Sequence, residues 1–222
     1  MQIEKLNREE AFRYMGFKGG EISEKVLEIT EECEEQLLKA ITPRYVYRVF
    51  DIEETNEGVS VSGTCLVFKG KDISAHLKGC EQCILMCSTL SADVDKLIRA
   101  YETEGMEKAL IADSLASAAV EQVCDKAENE IREAMGTGNY TWRFSPGYGD
   151  FPLDIQGEFL NAVDAPRRIG VNVTESLILI PRKSVTAVMG VSKNEIPKGR
   201  RGCVSCSMKD NCRYRKNCGH CN

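Results

Sequence analysis

Residues 141–152 read TWRFSPGYGDFP, and the patterns on either side of this stretch determine the fold class. Before it, residues 106–135 show the longest helical pattern of the chain, which Gly136 and Gly138 end. After it, a short helical pattern at 156–163 precedes two β-branched runs, GVNVTESLILIP and KSVTAVMGVS, that are typical of strands. The stretch is therefore predicted to be a loop that joins a helical part of the sequence to a strand-rich part.

The N-terminal part of the chain contains further helix and strand patterns. Asn7 is placed to cap a short helix, and apolar residues at steps of three and four predict a longer helix over residues 22–41. The runs RYVYRVFDI (44–52) and GVSVSGTCLVF (58–68) alternate like an antiparallel strand pair. The mostly apolar run CEQCILMCSTL (80–90) predicts a buried strand.

The order of these elements predicts the architecture. Ser91 is expected to cap the helix that follows the buried strand. The order helices, strands, helices, loop, strands favours an α+β fold, with an antiparallel or mixed twisted sheet and flanking helices, over a doubly wound sheet. We expect one main domain over residues 1–195 and a basic, cysteine-rich tail over residues 196–222.

Composition narrows the class of protein and its partners. A hydrophobic fraction of 42% and a charged fraction of 28% are ordinary for a soluble globular protein and argue against general disorder. The formal net charge of -5 argues against nucleic acid as the main partner, because phosphate binding needs a concentrated Lys/Arg surface. The charged N-terminus lacks the apolar segment of a signal peptide, and no apolar run is long enough for a membrane span. We therefore expect a cytoplasmic protein.

The chemistry of the 141–152 loop suits a small zwitterionic ligand. Arg143 could bind a carboxylate through two parallel hydrogen bonds, and glycines let a ligand approach the backbone. The ring of Tyr148 could face a sulfonium or ammonium, which is worth about 0.5 to 2 kcal/mol. The alternative is a rigid Pro-Gly turn whose arginine forms a surface ion pair, and the residues alone leave both readings open.

The stretch RFSPGYGDFP, followed by GVNVTESLILIPRKSVTAVMGVS, resembles the activation domain of cobalamin-dependent methionine synthase. That domain binds S-adenosylmethionine, and its pattern is an R-x-x-x-G-Y loop followed by a strand with L-T-E-S, a proline and S-V. The resemblance is good over residues 105–192. The matching residues are Arg143, Gly147, Tyr148, Val173, Thr174, Glu175, Ser176, Pro181, Ser184 and Val185.

The resemblance implies a set of ligand contacts. The family's arginine binds the carboxylate of S-adenosylmethionine, and its loop backbone binds other polar groups of the ligand. By resemblance, the cofactor-binding residues are Arg143, Ser145, Gly147, Tyr148, Glu121, Thr174, Glu175 and Ser176. For Glu121 a solvated helix acid is an equally good reading, and threonine and serine in a strand often form only local hydrogen bonds. Met189 stands where the larger enzymes have an aromatic residue, which puts the adenine contacts in question.

The resemblance implies that this chain is an accessory subunit of an enzyme. REEAFRYMGFKGG and HLKGCEQCILMCSTLSADVDKLIRAYE resemble free-standing activation subunits, which serve a cobalamin-binding methionine synthase that lacks its own activation domain. Such a subunit supplies S-adenosylmethionine for the reductive methylation of inactive cobalamin, while flavodoxin or ferredoxin supplies the electron. With two histidines and no nucleophile–base pair in sight, we expect no catalytic residue in this chain. Two alternatives stay open: an activator of another corrinoid methyltransferase system, and a non-catalytic adaptor.

The tail predicts a metal site. Cys203, Cys206, Cys212, Cys218 and Cys221 form a C-x2-C-x5-C-x5-C-x2-C array. Two C-x2-C pairs around a central cysteine suit one soft metal, because each pair offers two thiolates from one turn. Zinc, an iron–sulfur cluster and free redox-active thiols all remain open.

The other cysteines are predicted to be small buried side chains. An odd total of 11 cysteines in a reducing compartment argues against a disulfide framework. Free cysteine packs well in apolar cores, and each of these residues lies in an apolar or periodic pattern. They are Cys33, Cys65, Cys80, Cys83, Cys87 and Cys124.

Overall fold

The computed structural model of the chain describes residues 1–17 and 21–196. Its helices are α1 (Arg8–Tyr14), α2 (Glu24–Ala40), α3 (Lys71–Leu77), α4 (Ala92–Glu104), α5 (Met106–Met135), α6 (Gln156–Ala162) and α7 (Ala165–Ile169). Its strands are β1 (Arg44–Thr55), β2 (Gly58–Val61), β3 (Val67–Phe68), β4 (Gln82–Thr89), β5 (Asn139–Tyr140), β6 (Asn172–Val173), β7 (Leu179–Ile180) and β8 (Ser184–Ser192). Most of the cysteine-rich tail lies outside the described residues.

Six strands form one antiparallel sheet in the order β3-β2-β1-β4-β8-β5. The pairs β1–β2, β2–β3 and β5–β8 are antiparallel by register. Between β1 and β4, the N–H of Thr42 donates to the carbonyl of Leu90, and that of Ile52 donates to Glu81. Residue numbers rise on one strand while they fall on the other, so this pair is antiparallel too. The predicted α+β class is therefore confirmed.

The centre of the sheet is β4, which is buried along almost its whole length. At its two ends, the N–H of Leu90 donates to Lys183 and that of Glu81 donates to Val191, so β8 also runs antiparallel to it. A strand buried on both faces is mostly apolar, as the run predicted, and Ser88 and Thr89 are its buried polar residues. A separate two-stranded hairpin pairs β6 with β7.

The chain divides into two compact units, and unit 1 comprises Met1–Val46, Cys87–Ala134 and Ala165–Val185. Its core forms around α5, whose Ala112 and Ala116 have no exposed surface. Small side chains on this helix allow close packing with other helices, as the sequence indicated. Further buried members of this core are Cys33, Leu37, Val94, Leu115, Ala118, Ala119 and Val123.

In unit 1, helices α1 and α2 begin with a side-chain cap, whereas α4 does not. The Asn7 side chain accepts the N–H of Glu10 at 3.0 Å, which confirms the predicted cap, and Ser23 caps α2 in the same way. The predicted cap by the Ser91 side chain is wrong. Ser91 has a φ of 95°, and its hydroxyl lies 3.5 Å from the carbonyl of Ala40 instead of bonding the first turn of α4.

Unit 2 comprises Tyr47–Met86, Met135–Asp164 and, among the described residues, 186–196. Its core contains large aromatic side chains, and the rings of Phe68 and Phe151 meet edge to face with centroids 5.3 Å apart. Such aromatic pairs add stability beyond the area that they bury. The 141–152 loop belongs to this unit.

Two predicted strands are interrupted by turns. The 58–68 run is two strands, because the Thr64 hydroxyl donates to Val61 and accepts the N–H of Leu66, which closes a turn. Cys65 lies in this turn and is exposed, so the prediction that it is buried is wrong. The 170–181 run is likewise the β6–β7 hairpin rather than one strand.

None of the helices among residues 1–17 and 21–196 has the length and apolar character that would allow it to cross a membrane. The longest, α5, carries charged residues along most of its length.

Candidate functional site

The first half of the 141–152 loop runs antiparallel to β8. The N–H of Thr141 donates to the carbonyl of Gly190 at 3.0 Å. Phe144 and Val188 exchange two backbone hydrogen bonds of 2.9 Å as an isolated bridge. Because Trp142 and Arg143 lie between these two fixed points, the backbone that carries the arginine is held by the sheet.

The second half of the loop is a compact turn. The N–H of Tyr148 donates to Ser145 at 3.1 Å, Gly147 donates to Phe151 at 2.8 Å, and Phe151 donates to Tyr148 at 3.0 Å. Gly147 has a φ of 94°, a backbone conformation that favours glycine. Three internal hydrogen bonds over seven residues therefore fix the backbone around Tyr148.

The loop presents groups that fit an amino-acid-like cation. Tyr148 is 64% exposed although its backbone is fixed. The backbone of Gly147 is exposed, and Arg143 and Ser145 are partly buried. A partly buried guanidinium binds a carboxylate better than a fully solvated one, since less water competes with it. The four loop residues predicted for binding therefore lie on one rigid segment.

An aromatic layer supports the loop from within unit 2. The Phe144 ring lies 5.0 Å from the His76 ring and 6.0 Å from the Phe151 ring, measured between centroids. The ring centroid of the exposed Tyr148 lies 6.4 Å from that of Phe144. The layer thus connects the buried core to the exposed aromatic ring of the candidate site.

The second predicted motif forms a turn in unit 1, not a strand. The Thr174 hydroxyl accepts the N–H of Ile178 at 3.1 Å and lies 2.9 Å from the Ser176 hydroxyl. The N–H of Leu177 donates to the Thr174 carbonyl at 2.9 Å. The threonine and serine thus form local hydrogen bonds, which is the reading that the sequence had left open. Glu175, at the tip, is exposed.

Two further predicted positions lie on other elements. Glu121 lies on α5 in unit 1 and is partly buried. Met189, the position where the larger enzymes have an aromatic residue, lies on β8 in unit 2 and has no exposed surface. In this conformation Met189 is a core residue and offers no surface to a ligand.

The buried cysteines have the properties of core thiols. Burial raises the pKa of Cys33 to about 11 and that of Cys83 to about 12. Cys80 is partly buried rather than buried as predicted, and the same cause raises its pKa to about 11. Burial likewise raises the pKa of Cys87 well above its usual range. Thiolates, not thiols, bind metals, and these groups are protonated at neutral pH. Across residues 1–17 and 21–196, no group of three His, Cys, Asp or Glu side chains could hold a metal ion. The five cysteines of the predicted tail site lie outside those residues.

Sequence reasoning did not select two residues that join the loop to α3, namely Asp150 on the loop and His76 on the helix. His76 and Asp150 each bond across the interface between the loop and α3, at distances of 2.7 to 3.0 Å. Both residues lie in segments that resemble the family, but the sequence does not show that these segments contact each other, so only the tertiary structure reveals these contacts.

Unit 2 also contains a cleft of about 260 Å³ that is lined by residues of β1, β4, β5 and β8. Its lining includes Asp51, Glu81, Tyr140 and Lys193, and none of the residues predicted to bind S-adenosylmethionine. The geometry of the loop, rather than this cleft, therefore defines the candidate site.

No family model matches the chain, and no curated protein sequence matches it significantly. A solved structure that it is similar to is the MetH reactivation domain bound to AdoHcy, with a TM-score of 0.64 and 14% sequence identity. The match covers 86% of this chain and 75% of that chain. At this identity the match establishes the fold, which is that of the MetH reactivation domain.

Proposed function

We propose that this chain binds S-adenosylmethionine and presents its methyl group for the reductive reactivation of a cobalamin-dependent methionine synthase whose catalytic modules lie on another chain. The observation that carries this proposal is the 141–152 loop, a rigid segment with a partly buried arginine and an exposed tyrosine ring. It occurs in the fold of a domain whose solved structure holds AdoHcy, the product of methyl transfer from S-adenosylmethionine.

The four predicted contacts on the loop have distinct chemical roles in this proposal. Arg143 binds the ligand carboxylate, and the exposed ring of Tyr148 lies against the sulfonium. Ser145 and the backbone at Gly147 supply polar contacts to the rest of the ligand. The remaining proposed contacts are Glu121, Thr174, Glu175 and Ser176.

The contribution of this chain is positioning. The partner's cobalamin would supply the methyl acceptor, flavodoxin or ferredoxin would supply the electron, and S-adenosylhomocysteine would be released. The protein residues proposed here hold a charged methyl donor in one orientation, which converts an encounter of free molecules into a reaction within a complex. No side chain of this chain needs to take or give a proton in that step.

Titration of the purified full-length chain with S-adenosylmethionine tests the proposal. We expect saturable binding by calorimetry, competed by S-adenosylhomocysteine, and restored turnover when the loaded chain is mixed with an inactive cobalamin-dependent methionine synthase and a reduced flavodoxin. S-adenosylmethionine without the chain is the control. Absence of binding would favour the adaptor, whereas binding without reactivation of methionine synthase would favour another corrinoid methyltransferase as the partner.

The cysteine array favours a second candidate, an activator that carries electrons through a metal cluster in residues 196–222. We propose this region as a separate metal-binding segment that follows the domain of residues 1–195. An absorption spectrum after anaerobic purification, together with metal analysis, tests it. A visible charge-transfer band with bound iron supports the electron carrier, and one bound zinc in a colourless protein rejects it. Cys203→Ser with Cys206→Ser is the matched variant and should lose the metal.

A further inference from the structure

We infer that helix α3 is the positioning element of the 141–152 loop, and that Asp150 and His76 are its positioning residues. The identity of the ligand rests on the proposed function, whereas the contacts that fix the loop to α3 do not depend on which ligand binds. Neither residue is placed in contact with the ligand. Both act through the loop that carries Arg143 and Tyr148.

Asp150 fixes the C-terminal side of the loop to the start of α3. The residue before this helix is Gly70, which has no side chain to cap it. The Asp150 carboxylate takes that role from a distance: it accepts the N–H of Lys71 at 2.7 Å and that of Asp72 at 3.0 Å. A carboxylate that accepts two amide hydrogen bonds at a helix start is held in both position and direction.

His76 fixes the N-terminal side of the loop to the last turn of α3. Its Nε2 lies 2.9 Å from the carbonyl oxygen of Trp142 and 2.8 Å from the Thr141 hydroxyl. A carbonyl only accepts, so the short contact to Trp142 requires that Nε2 carries the proton and donates it. The Thr141 hydroxyl also accepts the N–H of Gly190 at 2.7 Å, which joins the histidine to β8.

Gly70 lies so close to Asp150 that the contact between α3 and the loop leaves no room for a side chain at position 70. A Cβ added there would lie 2.6 Å from a carboxylate oxygen of Asp150 and 2.8 Å from its backbone oxygen. The loop backbone could not keep its place against α3 if that atom were present. The two anchors lie on either side of Arg143 and Tyr148, so a change at α3 would alter the relative position of the two groups proposed to bind the ligand.

The test compares Asp150→Ala with Asp150→Asn, and uses Asp154→Ala as the control for loss of one exposed acid nearby. Two readouts are needed. The first is the affinity for S-adenosylmethionine. The second is deuterium uptake by the peptide that spans residues 141–152, which is measured without ligand.

We expect Asp150→Ala to weaken binding about fivefold to tenfold and to raise uptake in the loop, because an N-cap is lost. Asparagine has one acceptor oxygen where the Asp150 carboxylate uses two, so Asp150→Asn should restore both readouts only in part, and Asp154→Ala should leave both unchanged. If Asp150 contributed only to general stability, Asp150→Ala would raise deuterium uptake throughout the chain and not in the loop peptide alone.

A second pair of variants examines the other anchor. His76→Phe keeps a ring against Phe144 but removes the donor, and His76→Gln keeps an N–H donor but removes the ring. We expect phenylalanine to raise loop uptake more than glutamine does. Equal uptake in the two variants would overturn the role of the hydrogen bond.

The outcomes separate the two proposals. If the unmodified chain binds S-adenosylmethionine and Asp150→Ala binds equally well with unchanged uptake, the positioning role is wrong and the proposed function stands. If the unmodified chain does not bind, the proposed function fails, and the uptake measurement still decides the positioning role: a rise in Asp150→Ala supports it, and no rise overturns it.

Discussion

The 141–152 loop and the 174–178 turn carry the two parts of one sequence motif, yet their structures depend on different parts of the chain. The turn is closed by contacts between residues two to four positions apart, chiefly those of the Thr174 hydroxyl. The loop depends on partners far along the sequence, such as the bond from Lys71 to Asp150, which spans 79 residues. A turn of the first kind forms from local chemistry, whereas a loop of the second kind forms only when the unit folds.

This difference has a functional meaning. A ligand that must be held in one orientation needs a binding segment whose geometry does not change on binding, because ordering a loose segment would cost free energy. The loop meets that requirement through α3, β8 and the aromatic layer. We therefore expect the loop to dominate binding and the turn to contribute less.

The largest expected effect concerns Arg143. Arg143→Ala should weaken S-adenosylmethionine binding by about 1.5 to 3 kcal/mol, the range for a hydrogen bond to a charged group. Arg143→Lys keeps the charge but loses the planar pair of donors, so its affinity should fall between those of the alanine variant and the unmodified chain. Calorimetric titration gives both values. An unchanged affinity in the alanine variant would remove the loop from the site.

A substitution at the contact between the loop and α3 should have the next largest effect. Gly70→Ala should lower the free energy of unfolding by about 2 kcal/mol, because its Cβ meets the backbone of Asp150. Gly63→Ala is the matched control, since that glycine also has a positive φ but has open space around it, and it should cost about 1 kcal/mol. Chemical denaturation measures both. Equal losses would mean that the loop adjusts freely to α3.

The exposed ring of Tyr148 should have a moderate effect on binding. Tyr148→Ala should weaken the affinity for S-adenosylmethionine by about 0.5 to 2 kcal/mol, the range for a cation against an aromatic face. Tyr148→Phe keeps the face and should bind almost normally. S-adenosylhomocysteine has no sulfonium, so its affinity should fall less in the alanine variant. Equal losses for the two ligands would contradict the proposed cation–π contact.

The turn should show the smallest effect. Thr174→Val removes the hydroxyl that accepts the N–H of Ile178 and should cost about 0.5 to 1.5 kcal/mol of stability. Thr174→Ser keeps that hydroxyl and should lose less. In the same titration, the valine variant should bind S-adenosylmethionine more tightly than Arg143→Ala. A loss of affinity as large as that of Arg143→Ala would reverse the ranking of loop and turn.

Several parts of the fold were predictable because their signals are local. The helical pattern at 106–135 has the same bounds as α5, and the Asn7 cap forms as expected. The apolar run around β4 is a buried strand. In each case residues within a few positions of one another carry the information, through helical periodicity, a capping side chain or a continuous apolar run.

The wrong predictions share a physical cause. The 58–68 run predicted one continuous strand of an antiparallel pair, with Cys65 buried, but the Thr64 hydroxyl closes a turn there and the cysteine is exposed. Ser91 has the right side chain for a cap, but its backbone adopts a positive φ that directs the hydroxyl elsewhere. Propensity describes what a residue favours on average, and in these places a specific backbone conformation overrides it.

The sequence by itself determined the α+β class, the order of the main elements and the loop that carries Arg143 and Tyr148, because periodicity and turn chemistry are written in neighbouring residues. Only the tertiary structure decided that Asp150 caps a helix whose own N-cap is a glycine, that His76 donates to the loop, and that Met189 is fully buried. These features depend on atoms brought together from distant parts of the chain, and a single sequence contains no local signal for such contacts.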